Sequence, residues 1–231
     1  DSGNDIDQID IGHFGGTGNW DIVGSNAFGE VFALDGKNGI VIWFNETEHL
    51  YRSAKTIDNN QSDIDDVVAW DYNGGSLKRF SASLTPSVYS DPAYAFHEAL
   101  AYLDTGGTSI INTWAQDLSL DGREEIISVD VGYNFKVWNA SGGSLLWNKS
   151  FASYVHEVSF GHFNALGGKD MAIRFSNDSV LILDGLDGST IGTIQPDPNF
   201  GTAKILSGDL NFGNSNEEIV VLFENTFPSE T

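Results

Sequence analysis

The chain has 231 residues, of which 33 are acidic and 11 are basic, giving a formal net charge of -22. A charge of this sign argues against a nucleic-acid backbone or an anionic membrane surface as partner and favours cations. Because 40% of the residues are hydrophobic the chain can bury a core, and because cysteine is absent, disulfides, thiolate metal sites and cysteine nucleophiles are excluded.

The first predicted element is a polar turn that leads into an apolar strand, and it recurs along the chain. The five copies read "GHFGGTGNWDIVG", "IDNNQSDIDDVVAW", "DLSLDGREEII", "GHFNALGGKDMAIRF" and "GDLNFGNSNEEIVVLF". Their first polar residues are His13, Asp58, Asp117, His162 and Asp209, so the spacings are 45, 59, 45 and 47 residues. We predict strands at 20–25, 66–70, 125–129, 171–175 and 218–223. The period fits a blade of four strands.

Hairpins are the second recurring element. In "VFALDGKNGIVIW", "VAWDYNGGSLKRF", "KVWNASGGSLLW" and "LILDGLDGSTIGTI", two apolar strands flank a turn rich in Gly, Asn and Asp. The best helix candidate, "DPAYAFHEALAYL" at 91–103, contains "FHEALAY", which echoes "VHEVSF" further along, so we predict a strand at 96–102. The sequence therefore predicts an all-β chain with minimal helix.

The polar turns resemble the FG-GAP repeat of integrin-alpha-type β-propellers, and the hairpins resemble the pyrroloquinoline-quinone-type (PQQ-like) propeller repeat. Together the two patterns cover nearly the whole chain, most weakly between 81 and 96. The resemblance implies a β-propeller of four-stranded antiparallel blades, often with calcium in the loop between the first two strands. About four and a half blades are visible, at approximately 5–57, 58–108, 109–154, 155–202 and a partial 203–231, in a single domain over 1–231 or part of one.

Calcium requires six to eight hard oxygen ligands, and a loop with oxygen-bearing side chains at alternate positions can direct several of them to one point. The family's ligand positions are filled by the side chains of Asp117, Ser119, Asp121 and Glu125, with the backbone carbonyl of Arg123. This turn is the strongest predicted Ca²⁺ site. The alternative is an Asp-rich turn whose carboxylates accept backbone N–H groups without an ion.

The other turns match the calcium pattern less well. A second copy has only two carboxylates and consists of Asp58, Asn60, Ser62 and Asp66 with the carbonyl of Ile64. The fifth copy, with Asp209, Asn211 and Glu218, is one residue longer between its ends. In the first and fourth copies a histidine replaces the leading aspartate, and we expect Asp21 and Asp170 to bond to the turn backbone in place of an ion.

Two His-Glu pairs, at 97–98 and 156–157, raise the possibility of acid/base catalysis in a cleft. Adjacent residues on a strand point to opposite faces, so the two side chains of a pair do not act readily on one substrate. We therefore interpret both pairs as structural.

The sequence favours a non-catalytic, extracellular, calcium-binding module for adhesion, scaffolding or surface assembly. Its expected partner is a protein or glycan at the cell surface, with self-assembly through exposed blade edges as a further possibility. Glycosylation sequons that suit this setting are found at Asn45, Asn60, Asn139, Asn148 and Asn177. No apolar run is long enough for a membrane span.

Two enzymatic alternatives remain open. One is a propeller-type polysaccharide lyase similar to rhamnogalacturonan lyases, which would require a base near a cationic or calcium-bound uronate. The other, favoured less, is a quinone-dependent dehydrogenase, because those enzymes commonly use a vicinal cysteine pair that this chain lacks.

Overall fold

The structure is a computed structural model that describes residues 6–14, 18–26, 28–45, 51–58, 65–71, 76–81, 97–104, 109–164, 167–195, 200–210 and 216–225. These residues form β-strands joined by turns, and none of them is in a helix. Nothing in this described part of the chain is a helix long and apolar enough to cross a membrane.

The strands form five sheets in chain order. The first contains β1 (Ile6–Gly12), β2 (Asp21–Asn26), β3 (Val31–Leu34) and β4 (Val41–Asn45). The second contains β5 (Tyr51–Ile57), β6 (Asp66–Asp71), β7 (Ser76–Ser81) and β8 (His97–Asp104). The third contains β9 (Ile110–Gln116), β10 (Glu125–Asp130), β11 (Asn134–Asn139) and β12 (Leu145–Ser150). The fourth contains β13 (Val155–Gly161), β14 (Asp170–Phe175), β15 (Val180–Leu183) and β16 (Thr190–Ile194), and the fifth contains β17 (Phe200–Gly208) and β18 (Glu218–Asn225).

Within each sheet the strands lie side by side in the order in which they occur along the chain. Pairing is antiparallel throughout the first, second, fourth and fifth sheets and between β9 and β10. Antiparallel neighbours can be joined by short turns. The chain therefore builds each of the first four sheets as a local meander, which is the predicted four-stranded blade.

The strand predictions are confirmed. Each of the five predicted turn-following strands is the second strand of its sheet, so the five segments occupy equivalent positions. The predicted strand at 96–102 corresponds to β8, which places an extended segment where a helix was the alternative. Three predicted hairpins join the third and fourth strands of a sheet, whereas the second one joins β6 to β7.

Two boundaries differ from the predicted repeats, and the smaller difference is at residues 202 and 203, which lie inside β17 (Phe200–Gly208). The first repeat was placed at 5–57, but β5, which ends at Ile57, is the first strand of the second sheet. The difference arises because the polar turn lies between the first and second strands of a sheet. A boundary drawn at the turn itself therefore assigns the first strand of one blade to the blade before it.

The turns between third and fourth strands share one geometry in the first, third and fourth sheets. In each, the backbone carbonyl of an Asp or Asn accepts the N–H of a glycine four residues later, at 2.7 to 2.9 Å. The pairs are Asp35 with Gly39, Asn139 with Gly143, and Asp184 with Gly188. These glycines have φ values of 72°, 67° and 72°, in the left-handed region that glycine adopts without steric cost.

The chain divides into two compact units. The first consists of residues 1–116, 122–132 and 136–146, and the second consists of residues 117–121, 133–135 and 147–231.

In the first unit, β6 is buried on both faces. Val67 and Ala69 belong to a cluster that includes Val23 of β2, whereas Val68 and Trp70 belong to another that includes residues of the third sheet. Successive residues of a strand point to opposite faces, so a strand buried on both sides reads as a continuous apolar run. This explains why "DVVAW" lacks the alternation expected of a half-exposed strand.

The second unit has its own core. Ala172 of β14 and Val180 of β15 are buried against Ile205 of β17, and Ile219 and Val221 of β18 pack on the same cluster. The two-stranded fifth sheet is therefore packed face to face with the fourth through apolar side chains, as expected for neighbouring blades.

Candidate functional site

An acidic residue begins the second strand of every sheet. These residues are Asp21, Asp66, Glu125, Asp170 and Glu218. The first four are at least 94% buried, so each charge needs partners inside the protein. All five were predicted from the same alignment, Asp66, Glu125 and Glu218 as calcium ligands and Asp21 and Asp170 as groups that bond to the turn backbone.

Two of these carboxylates hold the turn that precedes them. The Oδ2 atom of Asp21 accepts the N–H of Phe14 at 3.0 Å, and its Oδ1 atom accepts the N–H of Gly36 at 3.2 Å. Glu218 accepts the N–H of Leu210 at 2.9 Å. The carboxylate thus fixes the turn between the first two strands of its own sheet.

Asp170 has the same role in the fourth sheet. Its Oδ2 atom accepts the N–H groups of Phe163 and Asn164, both at 2.8 Å. Burial raises the pKa of Asp170, and the two N–H groups oppose that shift. The prediction that Asp21 and Asp170 bond to the turn backbone is confirmed.

The remaining two carboxylates have different surroundings. Asp66 is 3% exposed, and its Oδ2 atom lies 3.3 Å from Nε of Arg79. This predicted calcium ligand is therefore paired with the guanidinium group of Arg79. Glu125 is 6% exposed and stands opposite Gln116 in the pairing of β10 with β9.

The residue immediately before the second strand joins its sheet to the preceding sheet. The Oδ2 atom of Asp65 accepts the N–H of His13 at 2.7 Å, and the N–H of Asp65 donates to the His13 carbonyl at 2.8 Å. Glu124 and Asp58 form the same pair of hydrogen bonds, both at 2.9 Å. We call this two-bond unit the inter-sheet bridge.

A third inter-sheet bridge lies in the second unit. The Oε2 atom of Glu217 accepts the N–H of His162 at 2.8 Å, and the N–H of Glu217 donates to the His162 carbonyl at 2.7 Å. At the equivalent position of the fourth sheet, Lys169 donates its N–H to the carbonyl of Leu118 at 2.8 Å but has no carboxylate to complete the bridge.

Sequence reasoning missed Asp65, Glu124 and Glu217. The available signal was the acidic doublet, since "DD", "EE" and "EE" stand at 65–66, 124–125 and 217–218. Adjacent residues point in opposite directions where an extended strand begins. One member of each doublet can therefore serve its own sheet while the other reaches the preceding one.

A glycine makes room for two of the bridges. A Cβ atom at Gly12 would lie 2.7 Å from Oδ2 of Asp65, and one at Gly161 would lie 2.6 Å from Oε2 of Glu217 and 2.6 Å from the Phe163 ring. Both distances are shorter than any van der Waals contact allows. In each "GHF" sequence, therefore, only glycine leaves room for the carboxylate of the next sheet.

Acidic groups are concentrated around the bridge of Glu124. Burial, followed by the charges of Asp65, Asp58 and Asp10, raises the pKa of Glu124 to about 7, although the N–H of Asp58 opposes the shift. The pKa of Asp65 is also raised, first by burial. Protonation of one carboxylate relieves the repulsion between neighbouring negative charges.

The turn predicted as the strongest calcium site is sharply bent. Leu120 and Gly122 have φ values of 60° and 83°, and Oδ1 of Asp117 accepts the N–H of Asp121 at 3.2 Å. The side chains of Asp121 and Arg123 are exposed. Across the described ranges, no three Asp, Glu or His side chains come close enough to share a metal ion. Calcium binding here stays a prediction.

The two weaker calcium copies are only partly visible. Asn60, Ser62, Ile64 and Asn211 lie outside the described residues. Of the others, Asp58 takes part in an inter-sheet bridge through its backbone, and the side chain of Asp209 is exposed.

The His-Glu pair at 156–157 has the structural role that was predicted. Glu157 accepts the N–H of Ile205 at 3.0 Å and lies 3.5 Å from Nε of Arg174, whereas His156 is exposed and contacts the ring of Tyr154. Glu157 thus links the fourth and fifth sheets. The side chains of the pair at 97–98 lie outside the described residues.

Large apolar side chains are exposed in turns at both ends of the sheets, and Phe28 and Val131 lie in turns between second and third strands. In an antiparallel meander, the turn between strands one and two and the turn between strands three and four lie at the same end, which we call the turn end. In the first unit, Trp20 and Ile40 are there, 61% and 64% exposed. In the second unit, Leu120 and Leu186 occupy such turns and are 48% and 47% exposed.

No protein-family model matches the chain, and no curated protein sequence matches it. Among solved structures, the chain is similar to BBS1N in complex with ARL6DN, soaked with mercury (TM-score 0.62, 8% identity, 96% of this chain, 64% of that chain) or with lead (0.60, 9%, 96% and 64%). It is also similar to Sqt1 of Saccharomyces cerevisiae (0.63, 13%, 95% and 57%).

These neighbours have β-propeller folds, and at such low identity the likeness shows the fold alone. The predicted fold class, an all-β β-propeller of four-stranded antiparallel blades, is confirmed. The chain spans less than two thirds of the length of each of these neighbours. The FG-GAP and PQQ-like repeat types remain a resemblance.

Substituting Gly161 by alanine should destabilise the chain by about 1 to 3 kcal/mol, because the new methyl group would displace Glu217 or the Phe163 ring. Chemical denaturation of G161A and the parent measures this. The matched control is G208A at the equivalent position of the fifth sheet, where a Cβ atom would meet nothing within 4 Å. Equal losses in the two variants would contradict the explanation.

Replacing Glu124 by glutamine should remove a pH dependence of stability. The folded chain holds the Glu124 proton up to about pH 7, against 4.5 as the ordinary value, so the free energy of unfolding falls as the pH rises between these values. The fall is at most about 3 kcal/mol. Denaturation in EDTA should show E124Q more stable than the parent at pH 8 and similar to it at pH 4.

The control for this experiment is D187N. Asp187 is exposed, and the N–H of Ser189 lowers its pKa, so its removal should bring no gain at pH 8. The contradicting outcome is that E124Q and the parent differ in the free energy of unfolding by the same amount at pH 4 and at pH 8. That result would show that Glu124 is not held protonated by its surroundings.

Proposed function

We propose that the chain is a non-catalytic β-propeller scaffold that binds a protein partner through the turn end of its sheets. The observation that carries the proposal is the exposure of large apolar side chains at these turns, 61% for Trp20 and 64% for Ile40. Contiguous apolar groups on a soluble protein mark interaction surfaces more often than single exposed residues do. Aromatic side chains are also enriched at the centre of interfaces.

In the first unit, Trp20 is exposed and also has an aromatic neighbour. Its ring lies 4.2 Å from the ring of His13, centroid to centroid, and the backbone carbonyl of Trp20 lies against Gly36 of the adjacent turn. Ile40 ends that same turn. The indole is therefore fixed in place while 61% of the residue is exposed. A rigid aromatic group loses little conformational entropy on binding.

In the second unit, Leu120 and Leu186 are exposed in turns that also contain Asp117, Asp121 and Asp187. An acidic rim around apolar contacts favours a partner with basic residues around an apolar patch, both for specificity and for the rate of encounter. The net charge of -22 has the same effect at longer range. The BBS1N propeller is in complex with the protein ARL6DN, which supports a protein as the partner of this fold.

Photocrosslinking tests this proposal. With p-benzoylphenylalanine at position 20 or at position 40, cell extracts should yield an adduct with the same basic protein at both sites, weakened by salt because the rim is charged. The control is position 28, since Phe28 is equally exposed, at 62%, but occupies the turn between β2 and β3 at the opposite end of the sheet. An equal adduct at position 28, or a protease-resistant adduct indicating a glycan, would contradict the proposal.

We also propose that the turn from Asp117 to Glu125 binds calcium for structural purposes. The support is its alternate oxygen-bearing side chains and the bend at Leu120 and Gly122, where Oδ1 of Asp117 accepts the N–H of Asp121. Binding would require the exposed carboxylate of Asp121 to move toward the others. The ion would then couple the turn to the strands on either side of it.

Calcium should raise the melting temperature of the parent chain, and a chelator should reverse the rise, because only the folded turn presents the ligands together. Asp121→Ala should abolish most of this shift. D187A is the matched control, since Asp187 is an exposed aspartate of a hairpin turn outside the predicted site. Equal calcium shifts in D121A and D187A would reject the site.

The remaining part of the proposal is the setting, which we propose to be extracellular or at the cell surface, with adhesion or surface assembly as the role. It is supported by sequons at the exposed residues Asn148 and Asn177, and by β18, which pairs with β17 but with no other strand among the described residues. Such an edge can pair with another chain. Surface biotinylation and a mass shift on deglycosylation test the setting, and the absence of both would reject it.

A further inference from the structure

The turn between β14 and β15, in the second unit, contains the sequon asparagine Asn177, and two backbone hydrogen bonds define its shape. The N–H of Asp178 donates to the carbonyl of Phe175, and the N–H of Phe175 donates to the carbonyl of Ser179, both at 3.0 Å. Asp178 has a φ value of 63°, in the left-handed region. A tight turn followed by a left-handed residue is a common connection between antiparallel strands. The backbone itself therefore fixes the position of Asn177.

The side chain of Asn177 uses its oxygen atom within the turn. Its Oδ1 atom accepts the backbone N–H of Ser179 at 3.2 Å and the Ser179 hydroxyl at 2.7 Å. A backbone N–H can only donate, so the accepting atom is the oxygen of the amide. Asn177 is exposed, and within the described part of the chain its Nδ2 atom donates no hydrogen bond. Nδ2 is the atom to which an N-linked sugar is joined.

A cavity of about 190 Å³ lies beside this turn. Phe175, Asn177 and Ser179, which are every second residue of the hairpin, all line it, so the sequon and the aromatic residue before it lie on one side of the hairpin. The other walls come from residues 151–153, which precede β13, from β15, and from β16 and the residue after it. A group joined to Nδ2 of Asn177 would therefore stand at this cavity.

Most of the cavity surface is apolar. Phe175 and Val180 are buried, at 6% and 1% exposure, and the ring of Phe151 lies 4.9 Å from the ring of Phe175, centroid to centroid. Thr193 and Gln195 are exposed and place polar groups at the opening. A pyranose ring has the same division, with C–H groups on its faces and hydroxyl groups around its edge. Covering one face of the sugar in this cavity would remove apolar surface from water on both partners.

We propose that Asn177 carries an N-linked glycan whose first pyranose packs in this cavity and stabilises the hairpin of β14 and β15. The inference rests on the proposed extracellular setting, because sequons are modified in secreted proteins. Cavities for drug-sized ligands measure about 300 to 1,000 Å³, so this smaller one suits a single ring. Further sugars would extend into solvent.

The modification is a transfer from a polyprenyl-diphosphate-linked oligosaccharide, supplied with its transferase by the secreting cell. Nδ2 of Asn177 loses a proton and forms a bond to C1 of the first sugar. The bond between C1 and the diphosphate breaks, and the diphosphate leaves with the electron pair. The amide stays uncharged, so the Oδ1 atom can keep its two hydrogen bonds to Ser179.

Two other sequons with described asparagine side chains lack this arrangement. Asn139 makes the same two side-chain bonds, to Ser141 at 2.9 and 2.7 Å, but it is half-buried and does not line the cavity. Asn148 is exposed on β12 and does not line the cavity either, and the hydroxyl of its sequon serine, Ser150, donates to Asn134. Asn148 is therefore the matched control for Asn177.

The full chain, secreted with a signal peptide from cells that add N-linked glycans, tests the proposal independently of the native location. Peptide mapping should find a glycan at Asn177. An endoglycosidase then leaves one N-acetylglucosamine on each modified asparagine, so that only the first sugar remains. The melting temperature of this protein minus that of N177Q, less the same difference between unglycosylated chains made in bacteria, isolates the contribution of the sugar. It should be about 2 to 4 °C in favour of the glycosylated chain.

Three variants identify the cavity as the place of contact. N148Q, treated in the same way, should show no contribution from the sugar at Asn148. F151L should reduce the contribution of the sugar at Asn177. Y154L should leave it unchanged, because Tyr154 is a half-buried ring close to Phe151 in the chain that does not line the cavity. Melting the unglycosylated form of each variant shows that it folds and removes the loss of packing from the comparison.

Three results would overturn the proposal. The first is an unmodified Asn177 in a secreted chain whose Asn148 is modified. The second is an equal contribution from the sugars at Asn148 and Asn177, which would indicate a general effect of glycosylation. The third is an unchanged contribution in F151L, which would place the sugar outside the cavity. Failure of the extracellular setting looks different, since the native protein would then carry no glycan at any sequon while the secreted chain still gains stability from Asn177.

Discussion

The structure depends on a carboxylate that accepts a backbone N–H from the neighbouring sheet. In a meander of short turns, each sheet can satisfy its own strands, but nothing local determines how it meets the next one. The inter-sheet bridge supplies that contact where the first strand ends, with one bond through a side chain and one through the backbone. Because a charged acceptor strengthens a hydrogen bond, the contact also defines the register between sheets.

The acidic composition follows from this use of carboxylates. In each doublet, the first residue reaches the preceding sheet and the second begins a strand of its own sheet. The second residue Glu218 holds the turn before its strand, and Asp21 and Asp170, which stand outside the doublets, do the same in their sheets. Carboxylates that accept backbone N–H groups need no metal ion. The proposed calcium site lies in a turn where the carboxylate of Asp121 is exposed.

The fold was predictable because its signals are local. A polar turn before an apolar run and a hairpin with glycine at its end are each contained in about fifteen residues, and repetition reinforces them. β8 was predictable for the same reason, since its sequence echoes β13. The boundary at residue 57 was misplaced because the turn is more conspicuous than the strand that precedes it.

The site was predictable only where a carboxylate serves its own turn. Asp21 and Asp170 act over six to fifteen residues, and the turn pattern indicated them. Asp65, Glu124 and Glu217 act over 52 to 66 residues, on a backbone group of another sheet, and backbone groups leave no trace in a sequence.

Amide hydrogen exchange tests the role of the inter-sheet bridge most directly. In the parent chain the N–H groups of Asp58 and His162 should both exchange slowly, because each donates to a partly buried carboxylate. In Glu217→Ala, the N–H of His162 should exchange much faster while that of Asp58 keeps its protection. Unchanged exchange at His162 in this variant would show that the carboxylate does not hold the two sheets together.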